Sequence, residues 1–428
     1  MTPWRFVWLI GVAMPLPALA LTPVPARPSS AFSDSVGVNT HLTSEWDTAY
    51  SDCANGPRAT APCPPSVAHI GAALRTINVR HIRDGFPAAY VAPRFRALAN
   101  IVPGLRIDFV MNDDRSGPLE QQFGYAAPDA DLIEFVEGPN EPNNGSGFRY
   151  HKHPFPKGAA EEMRDLRAAL PHSPLSHARI INLALGGGTE ADSGRLGVVP
   201  EAEFANAHAY YGVRPPRRFT QGLDPAQNLA PGKPTVITET GNCTPDVRTD
   251  WCAVTETVQA KYTLMALADA FEIGVVRTYL YELVDEQPDP TGADVERHFG
   301  LFHTDWSLKP AGQALVNLQS ALGTGGMAGS LAFSTPGART VVLRRDDGVY
   351  LIIAWFDAEL WDTERHVAHQ VAPRPITLTL GLRPAGVAIF DPLDASRRTL
   401  EPGTALKLEL PDHPIVIEVK NEEPLPAR

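Results

Sequence analysis

The stretch "LIEFVEGPNEPNNG", residues 132–145, changes from an apolar run to a series of turn-forming residues. The first half has the length and the branched and aromatic side chains that are typical of a buried strand. The second half ends the strand, because proline cannot donate a ladder hydrogen bond and glycine and asparagine favour turns. The two glutamates Glu137 and Glu141 are therefore predicted to lie at the end of a strand.

Similar strand patterns recur along most of the chain. Eight strands are predicted, at 35–42, 78–85, 106–112, 132–138, 179–187, 204–212, 234–241 and 275–283. Helical patterns occur between or after them, at 66–77, 93–101, 159–170, 255–274 and 309–322. Eight strand–helix units in roughly 300 residues predict an α/β fold of the (β/α)8 TIM barrel type. A doubly wound open sheet would need a glycine-rich phosphate loop after its first strand, and "VNTHLTSEW" (38–46) is not one.

The pattern changes after residue 322. The segment "GTGGMAGS" (323–330) is typical of a linker, and strands without intervening helices are predicted beyond it, within 339–356, 375–382, 386–393, 405–410 and 414–420. The Asp-Gly pair in "RRDDGVYL" (344–351) indicates a hairpin. We expect a catalytic barrel at 31–324 followed by a small C-terminal antiparallel β-sandwich at 330–421.

The first twenty residues have the pattern of a secretory signal. Arg5 precedes an apolar run at 6–14, and small residues at Ala18 and Ala20 match a cleavage site. The apolar run is too short to span a membrane, and no other long apolar stretch follows. We expect a signal peptide at 1–20, a secreted or periplasmic protein, and no stable membrane insertion.

The charge balance narrows the range of partners. The chain of 428 residues carries 37 basic and 49 acidic side chains, a net charge of -12. An acidic surface of this kind is a poor match for nucleic acid or an anionic membrane. We therefore expect no nucleic-acid partner.

The four cysteines form two local pairs. Cys53 and Cys63 lie in one loop rich in proline and aspartate, and Cys243 and Cys252 lie in another. In an exported chain this favours the disulfides Cys53–Cys63 and Cys243–Cys252, although four cysteines allow three connectivities. A zinc site is the weaker alternative, because no histidine lies at ligand spacing from either pair.

Two glutamates lie where barrel enzymes carry their chemistry, at the C-terminal ends of parallel strands. Glu141 follows the fourth predicted strand, and Glu239 ends the seventh in "TVITETG" (235–241). Two such carboxylates can face each other across the barrel mouth, where one is held protonated and the other stays ionised. Cleavage of an acetal needs this combination of an acid and an anion.

Several motifs resemble those of one enzyme group. In order along the chain they are "GVNTH" (37–41), "GPNEP" (138–142), "HAYYG" (208–212), "ITETG" (237–241) and "FGLFHTDWSLKPAGQAL" (299–315). Together they resemble the glycoside hydrolases of clan A, which are retaining enzymes on (β/α)8 barrels, with family 39 nearest and family 5 next. The resemblance covers the barrel and, more loosely, the sandwich. It implies a secreted glycosidase that hydrolyses O-glycosyl bonds of a polysaccharide or oligosaccharide by double displacement, without a cofactor.

The resemblance assigns roles to three residues of the turn and strand motifs. Glu141 matches the acid/base of the clan, and Glu239 matches its nucleophile. Asn140 matches the residue that hydrogen-bonds the sugar 2-hydroxyl, a contact that strengthens in the transition state.

Three further residues match the surroundings of the nucleophile. His208 and Tyr210 match the pair on the sixth strand, where a tyrosine hydroxyl orients the Glu239 carboxylate. Arg83 matches the arginine of the second strand that keeps the nucleophile ionised, since an adjacent cation favours the charged form.

The chain departs from family 39 at two aromatic positions. Pro139 replaces the tryptophan that often precedes Asn-Glu, and "RTYLYELVDE" (277–286) lacks the tryptophan that often ends the eighth strand. We expect Tyr281, Tyr279 or Trp306 to provide the floor under the sugar.

Other polar residues near strand ends have competing interpretations. His41, at the end of the first strand, could line the site or satisfy loop backbone. Asp285, Glu286 and Asp289 could bind calcium, but their spacing matches no EF-hand loop, so we expect no metal. Glu137 is interpreted as a buried charge paired with an arginine, Arg83 or Arg80.

Two other functions are alternatives to hydrolysis. One is a non-catalytic carbohydrate-binding protein on a degenerate barrel, and the other is a transglycosylase that uses the same residues.

The basic loop "GFRYHKHPFPK" (147–157) suggests contact with an anionic or highly hydroxylated polysaccharide, although a solvated loop is the more common outcome.

Overall fold

The computed structural model describes residues 21–43, 64–89, 91–111, 117–145, 147–187 and 190–421. The predicted signal peptide and the predicted Cys53–Cys63 disulfide lie outside these residues. Within the described ranges, no helix combines the length and the apolar character that a membrane span requires.

A parallel barrel forms the larger part of the molecule. Strands are numbered along the chain, beginning with β1 at Pro23–Pro28, and the barrel strands are β2 Val36–Asn39, β3 His81–Gly85, β4 Arg106–Val110, β5 Ile133–Glu137, β6 Arg179–Ile181, β7 Ala205–His208, β8 Thr235–Thr240 and β9 Arg277–Leu280. Their order is β6-β5-β4-β3-β2-β9-β8-β7, and a parallel bridge between Ile181 and Phe204 links β6 to the chain just before β7. All eight predicted strands are confirmed, each shorter than predicted.

The barrel strands have near-continuous apolar runs because both of their faces are buried. One cluster, formed by Phe135, Ile181, Phe204, Val236 and Tyr279, is at most 1% exposed. Helices cover the outer face and pack against the remaining apolar side chains.

Nine helices are found among the described residues. They are α1 Ser29–Asp34, α2 Pro64–Thr76, α3 Ala92–Ile101, α4 Leu119–Ala126, α5 Lys157–Ala169, α6 Glu190–Leu196, α7 Phe219–Leu229, α8 Glu256–Glu272 and α9 Pro310–Leu322. The five predicted helices are confirmed as α2, α3, α5, α8 and α9. The sequence did not predict the others, since α1 and α6 are short and α7 contains Gly222 and Pro225, which have low helix propensity.

A β-rich region follows the barrel, as predicted. Its strands are β10 Gly329–Ser334, β11 Arg339–Arg344, β12 Tyr350–Trp355, β13 Trp361–Asp362, β14 Val367–Ala368, β15 Arg374–Leu380, β16 Gly386–Phe390, β17 Arg397–Leu400, β18 Ala405–Leu410 and β19 Ile415–Lys420. The strand order is β17-β16-β19-β12-β11-β1-β10-β15-β18, and β13 pairs only with β14. The Asp-Gly hairpin joins β11 to β12, with Gly348 at φ +84°.

The N-terminal strand β1 completes this region from the other end of the chain. It pairs antiparallel with β10 and parallel with β11, so the sheet is not antiparallel throughout. The sequence did not predict it, because three prolines in "PVPARP" argue against a strand inside a sheet. The predicted linker at 323–330 is also shorter than expected, since Gly329 and Ser330 begin β10.

The β-rich region packs against helix α8 of the barrel. The fully buried Trp355 donates its Nε1 hydrogen to Asp269 Oδ1 at 2.7 Å. Arg339 pairs with the same carboxylate at 2.7 Å, and Tyr262 Oη accepts a hydrogen bond from Leu360 N at 2.9 Å. This face of the barrel is therefore anchored to the β-rich region.

Candidate active site

The turn after β5 fixes Glu141 at the barrel mouth. Glu141 N donates to Ala184 O at 3.0 Å, so the turn is tied to the segment that follows β6. Its φ of +43° is unusual for a residue other than glycine, and strained backbone of this kind is often found at functional sites. A Cβ atom at Gly186 would lie 2.7 Å from the Glu141 carboxylate. Any larger residue at position 186 would displace the Glu141 carboxylate from its observed position.

The carboxylates of Glu141 and Glu239 converge. One oxygen of each glutamate and one ring nitrogen of His208 all lie within 4.8 Å of one another. His208 Nδ1 is 2.6 Å from Glu141 Oε1 and 3.4 Å from Glu239 Oε2. The strands β5, β7 and β8 thus bring together residues that are up to 98 positions apart in sequence.

Arg83, on β3, connects both halves of the site. Nε and Nη2 donate to the two oxygens of Glu137 at 2.6 and 2.9 Å. Nη1 donates to Glu239 Oε1 at 2.7 Å and Asn39 Oδ1 at 2.9 Å, and Nη2 also donates to Asn140 Oδ1 at 2.8 Å. A guanidinium has five N–H donors, so all of them are used. Burial lowers the pKa of Arg83, but the charges of Glu137 and Glu239 outweigh it and raise that pKa.

Glu137 is the buried partner of Arg83, as the sequence suggested. Its side chain is 0% exposed and also accepts a hydrogen bond from Asn206 Nδ2 at 2.9 Å. Thr238 Oγ1 lies 3.4 Å from the same oxygen. With this many protein donors, Glu137 is a structural anion beneath the site.

Tyr210 positions the second oxygen of Glu239. Its hydroxyl donates to Glu239 Oε2 at 3.0 Å. Burial and the negative charge of Glu239 raise the pKa of Tyr210 well above its ordinary value. The hydroxyl therefore stays protonated and remains a donor.

Glu141 has a different environment from Glu239. Burial raises the pKa of Glu141, but hydrogen bonding and charge from His208 outweigh it. A hydrogen bond from Asn144 Nδ2 to Glu141 Oε2, at 2.8 Å, and the charge of Arg83 act in the same direction. The pKa of Glu141 is therefore lowered in the ligand-free site.

A cavity of about 650 Å³ opens over these residues. It is lined by Asn140, Glu141, Asn144, Gly187, His208, Tyr210, Glu239, Trp251, Tyr281, Glu296 and Phe299. Asn144, Trp251, Glu296 and Phe299 were not predicted from the sequence to be site residues. Of these, Trp251 carried a usable signal, because it precedes Cys252 in the predicted disulfide loop directly after the Glu239 strand.

The disulfide Cys243–Cys252 is present and holds Trp251 at the cavity. Both cysteines are 0% exposed, whereas Trp251 is 49% exposed. The Trp251 ring meets the Tyr210 ring edge-on, with centroids 5.3 Å apart. The loop therefore presents an exposed aromatic ring beside the two carboxylates.

Of the three aromatic residues expected to form the floor under the sugar, one lines the cavity. Tyr281 lines the cavity and packs against Phe299 at a centroid distance of 5.3 Å. Tyr279 is 1% exposed inside the barrel, and Trp306 packs against His69 on helix α2, so neither lines the cavity. The predicted role of Trp306 in substrate binding stays a prediction, and its ring lies against helix α2.

His41 also lies outside the cavity wall. Its Nδ1 is 3.3 Å from Glu282 Oε2 and 3.6 Å from Glu286 Oε1, and its ring lies 5.6 Å from that of Tyr281. Among the described residues that line the cavity, His41 contacts Tyr281, and its role in substrate binding stays a prediction.

Among the described residues, two groups of side chains are close enough to hold a metal ion: Glu141 with His208 and Glu239, and His41 with Glu282 and Glu286. In the first group the Arg83 cation already binds Glu239, which disfavours a second cation there. The carboxylates suggested for calcium have other partners. Asp285 Oδ1 accepts from Lys309 Nζ at 2.7 Å, and Asp289 accepts from backbone nitrogens of its own loop.

The basic loop at 147–157 is directed toward helix α5. His153 Nδ1 lies 2.6 Å from Glu161, and Lys157 lies 3.9 Å from the same carboxylate. None of the described residues of this loop lines the cavity. The suggested contact between this loop and an anionic glycan therefore has no structural support.

Comparisons with known proteins find solved structures with a similar fold. A comparison of the sequence with protein-family models finds no match, and a comparison with curated proteins finds none. The structure is similar to a family 39 glycoside hydrolase from the gut symbiont Bacteroides cellulosilyticus WH2, with a TM-score of 0.59 and 14% identity, covering 92% of this chain and 81% of that one. It is also similar to a glucosidase from Croceicoccus marinus, with a TM-score of 0.57 and 12% identity, covering 94% and 98%. The resemblance to family 39 seen in the motifs therefore extends to the fold of the barrel and the β-rich region.

Proposed function

We propose that this protein is a retaining glycoside hydrolase in which Glu239 is the nucleophile and Glu141 is the acid/base. The separation of the two carboxylates carries the proposal, since an oxygen of each lies within 4.8 Å of the other. Carboxyl groups of retaining enzymes are about 5–5.5 Å apart, whereas those of inverting enzymes are about 6.5–9.5 Å apart to admit a water molecule. The observed spacing favours retention.

In the first step, Glu239 attacks the anomeric carbon while Glu141 donates its proton to the leaving oxygen. The bond from the anomeric carbon to the leaving group breaks, and a glycosyl ester of Glu239 forms. Tyr210 and Arg83 each bind one oxygen of Glu239 and so fix the direction of attack. The barrel strands hold both donors in place, so they need little rearrangement when a substrate binds.

In the second step, Glu141 acts as a base. The ionised Glu141 takes a proton from water, the water oxygen attacks the anomeric carbon, and the ester bond to Glu239 breaks. The low pKa of Glu141 in the ligand-free site suits this step more than the first. Binding of a sugar between Glu141 and its donors would favour the protonated form needed at the start.

Asn140 is suited to hold the sugar. Its Oδ1 accepts from Arg83 Nη2, which leaves the Nδ2 hydrogens to donate into the cavity. Such a donor can bind the hydroxyl beside the anomeric carbon. Trp251 and Tyr281 add apolar ring surface for the C–H faces of a sugar.

The Cys243–Cys252 disulfide supports an exported enzyme, because disulfides persist in oxidising compartments. We place the enzyme outside the cytoplasm, where it would meet an oligosaccharide or polysaccharide.

A glycan-panel digest with mass analysis tests the proposal. Wild type should release shorter sugars with retained configuration, and Glu239→Ala should be inactive. Glu141→Ala should still react with substrates that carry good leaving groups, and added azide should give a glycosyl azide of retained configuration. Glu120→Ala, an exposed glutamate on α4, is the matched control and should behave as wild type. Inverted products, or binding of glycans without release of any product, would count against the proposal.

A further inference from the structure

Three carboxylates line the described part of the cavity wall. Its carboxylates are Glu141, Glu239 and Glu296, and no lysine or arginine lines it. The cation beneath it, Arg83, has all five of its N–H donors occupied by protein acceptors. Among the described residues of the site, no guanidinium is therefore available to pair with an incoming carboxylate.

Glu296 is the carboxylate that the proposed mechanism does not use. It lies in the short 3-10 turn Val295–His298 after β9, and its side chain is exposed at the cavity. Within the residues that the structure describes, its carboxylate makes neither a hydrogen bond nor an ion pair. A free acceptor at a sugar-sized cavity can receive hydrogen bonds from sugar hydroxyls.

The neighbouring cations are directed away from Glu296. Arg297 Nε pairs with Asp294 Oδ2 at 2.8 Å, and its Nη1 donates to Pro288 O at 3.1 Å. His298 Nε2 lies 3.2 Å from Asp289 Oδ2. The charge of Glu296 is therefore not neutralised by the turn that carries it.

The three carboxylates act on one another. Partial burial raises the pKa of Glu296, and the negative charges of Glu239, Asp294 and Glu141 raise it further. A carboxylate on a bound sugar would add another like charge within the same small volume. Like-charge contacts of this kind are unfavourable by enough to change binding about a hundredfold.

We propose that Glu296 is a specificity-determining residue that makes this cavity accept sugar units without an acidic group and reject uronic acids. Its oxygens accept hydrogen bonds from sugar hydroxyls, and its charge repels a sugar carboxylate. This proposal rests on the proposed glycosidase function and concerns the same site.

The test uses 4-nitrophenyl glycosides in matched pairs, glucoside with glucuronide and galactoside with galacturonide, each as both anomers. The members of a pair differ only in oxidation at C6. Wild type should prefer the neutral member by at least about a hundredfold in kcat/KM. Glu296→Gln keeps the size and an acceptor but removes the charge, so this preference should narrow about tenfold. Glu120→Gln, on the outside of the barrel, should leave the preference unchanged.

A binding arm covers substrates that are not hydrolysed. Competition between neutral and uronate-containing oligosaccharides, followed by saturation-transfer NMR, should show weaker binding of the acidic ligand to wild type and a smaller difference in Glu296→Gln. Preference for the uronide, or the same preference in wild type and Glu296→Gln, would overturn the role of Glu296. Hydrolysis that still depends on Glu141 and Glu239 would leave the proposed function intact in that case, whereas loss of that dependence would remove the proposed function itself.

Discussion

Arg83 Nη1 lies 2.7 Å from Glu239 Oε1, on the side of the guanidinium that faces the cavity. The other edge of the same group binds both oxygens of Glu137 below. One buried cation therefore balances two buried anions, one in the reaction site and one in the barrel interior. Loss of Arg83 would leave Glu137 without its ion-pair partner and would remove a charged hydrogen-bond donor from Glu239.

We expect Arg83→Met to lower the free energy of unfolding by about 3–5 kcal/mol, the usual cost of breaking a buried ion pair. The free energy of unfolding of Arg83→Lys should lie between those of Arg83→Met and wild type. Lysine keeps the charge, but its three donors cannot make the paired hydrogen bonds of a guanidinium. Urea denaturation measures both. Arg80→Met is the matched control, because Arg80 is 51% exposed and pairs with Asp34 at the surface, where about 0–1 kcal/mol is expected. Equal losses for the two methionine variants would contradict the role of Arg83.

Tyr210→Phe isolates the hydrogen bond that holds Glu239, the proposed nucleophile. The ring is kept, and only the donor to Glu239 Oε2 is removed. A hydrogen bond to a charged group contributes about 1.5–3 kcal/mol, so kcat/KM should fall by about 10- to 150-fold. Tyr211→Phe removes a hydroxyl from the next residue, whose ring packs against Tyr262, and should have little effect on activity. Similar losses in the two variants would show that the hydroxyl of Tyr210 has no special role.

The parts of the site that could be predicted lie at strand ends within short motifs. Glu141 and Glu239 follow or end an apolar run, so the barrel topology brings them to one mouth, whereas Tyr210 and Arg83 were predicted from the family resemblance. The barrel was predictable for the same reason, since its strands are apolar on both faces and repeat at regular intervals. Glu137 was interpretable because a charge inside such a run needs a buried partner.

The rest depends on contacts that sequence spacing does not encode. Trp251 and Glu296 reach the cavity from loops, where the path of the chain is set by a disulfide and by a turn. Trp306 lies in a motif that resembles family 39, but its ring packs on helix α2. Strand β1 pairs with residues some 300 positions away, and its prolines obscured it.

The contact between His208 and Glu141 predicts a shift in the pH profile. In its proposed role as general acid, Glu141 must be protonated, so kcat/KM should fall as pH rises through its pKa. His208 lowers the pKa of Glu141, so His208→Ala should raise that pKa and move the alkaline limb to higher pH. His208→Asn keeps a neutral hydrogen-bond donor close to the position of Nδ1, so it should shift the alkaline limb less than His208→Ala. His177→Ala, an exposed histidine, is the control. An unchanged limb, or one at lower pH, would contradict this coupling.

Trp251 and Trp306 allow a direct comparison of two tryptophans, one lining the cavity and one packed on the barrel wall. We expect Trp251→Ala to raise KM about three- to tenfold on an oligosaccharide, the size of an aromatic contact of about 0.5–1.5 kcal/mol, while Trp251→Phe keeps most of the affinity. Trp306→Ala should leave KM unchanged. The double substitution Cys243→Ser and Cys252→Ser removes the disulfide and should also raise KM, because it frees the loop that presents Trp251. It should lower the free energy of unfolding by about 2–3 kcal/mol. A rise in KM for Trp306→Ala but not for Trp251→Ala would reassign the aromatic wall to the position that the sequence motif favours.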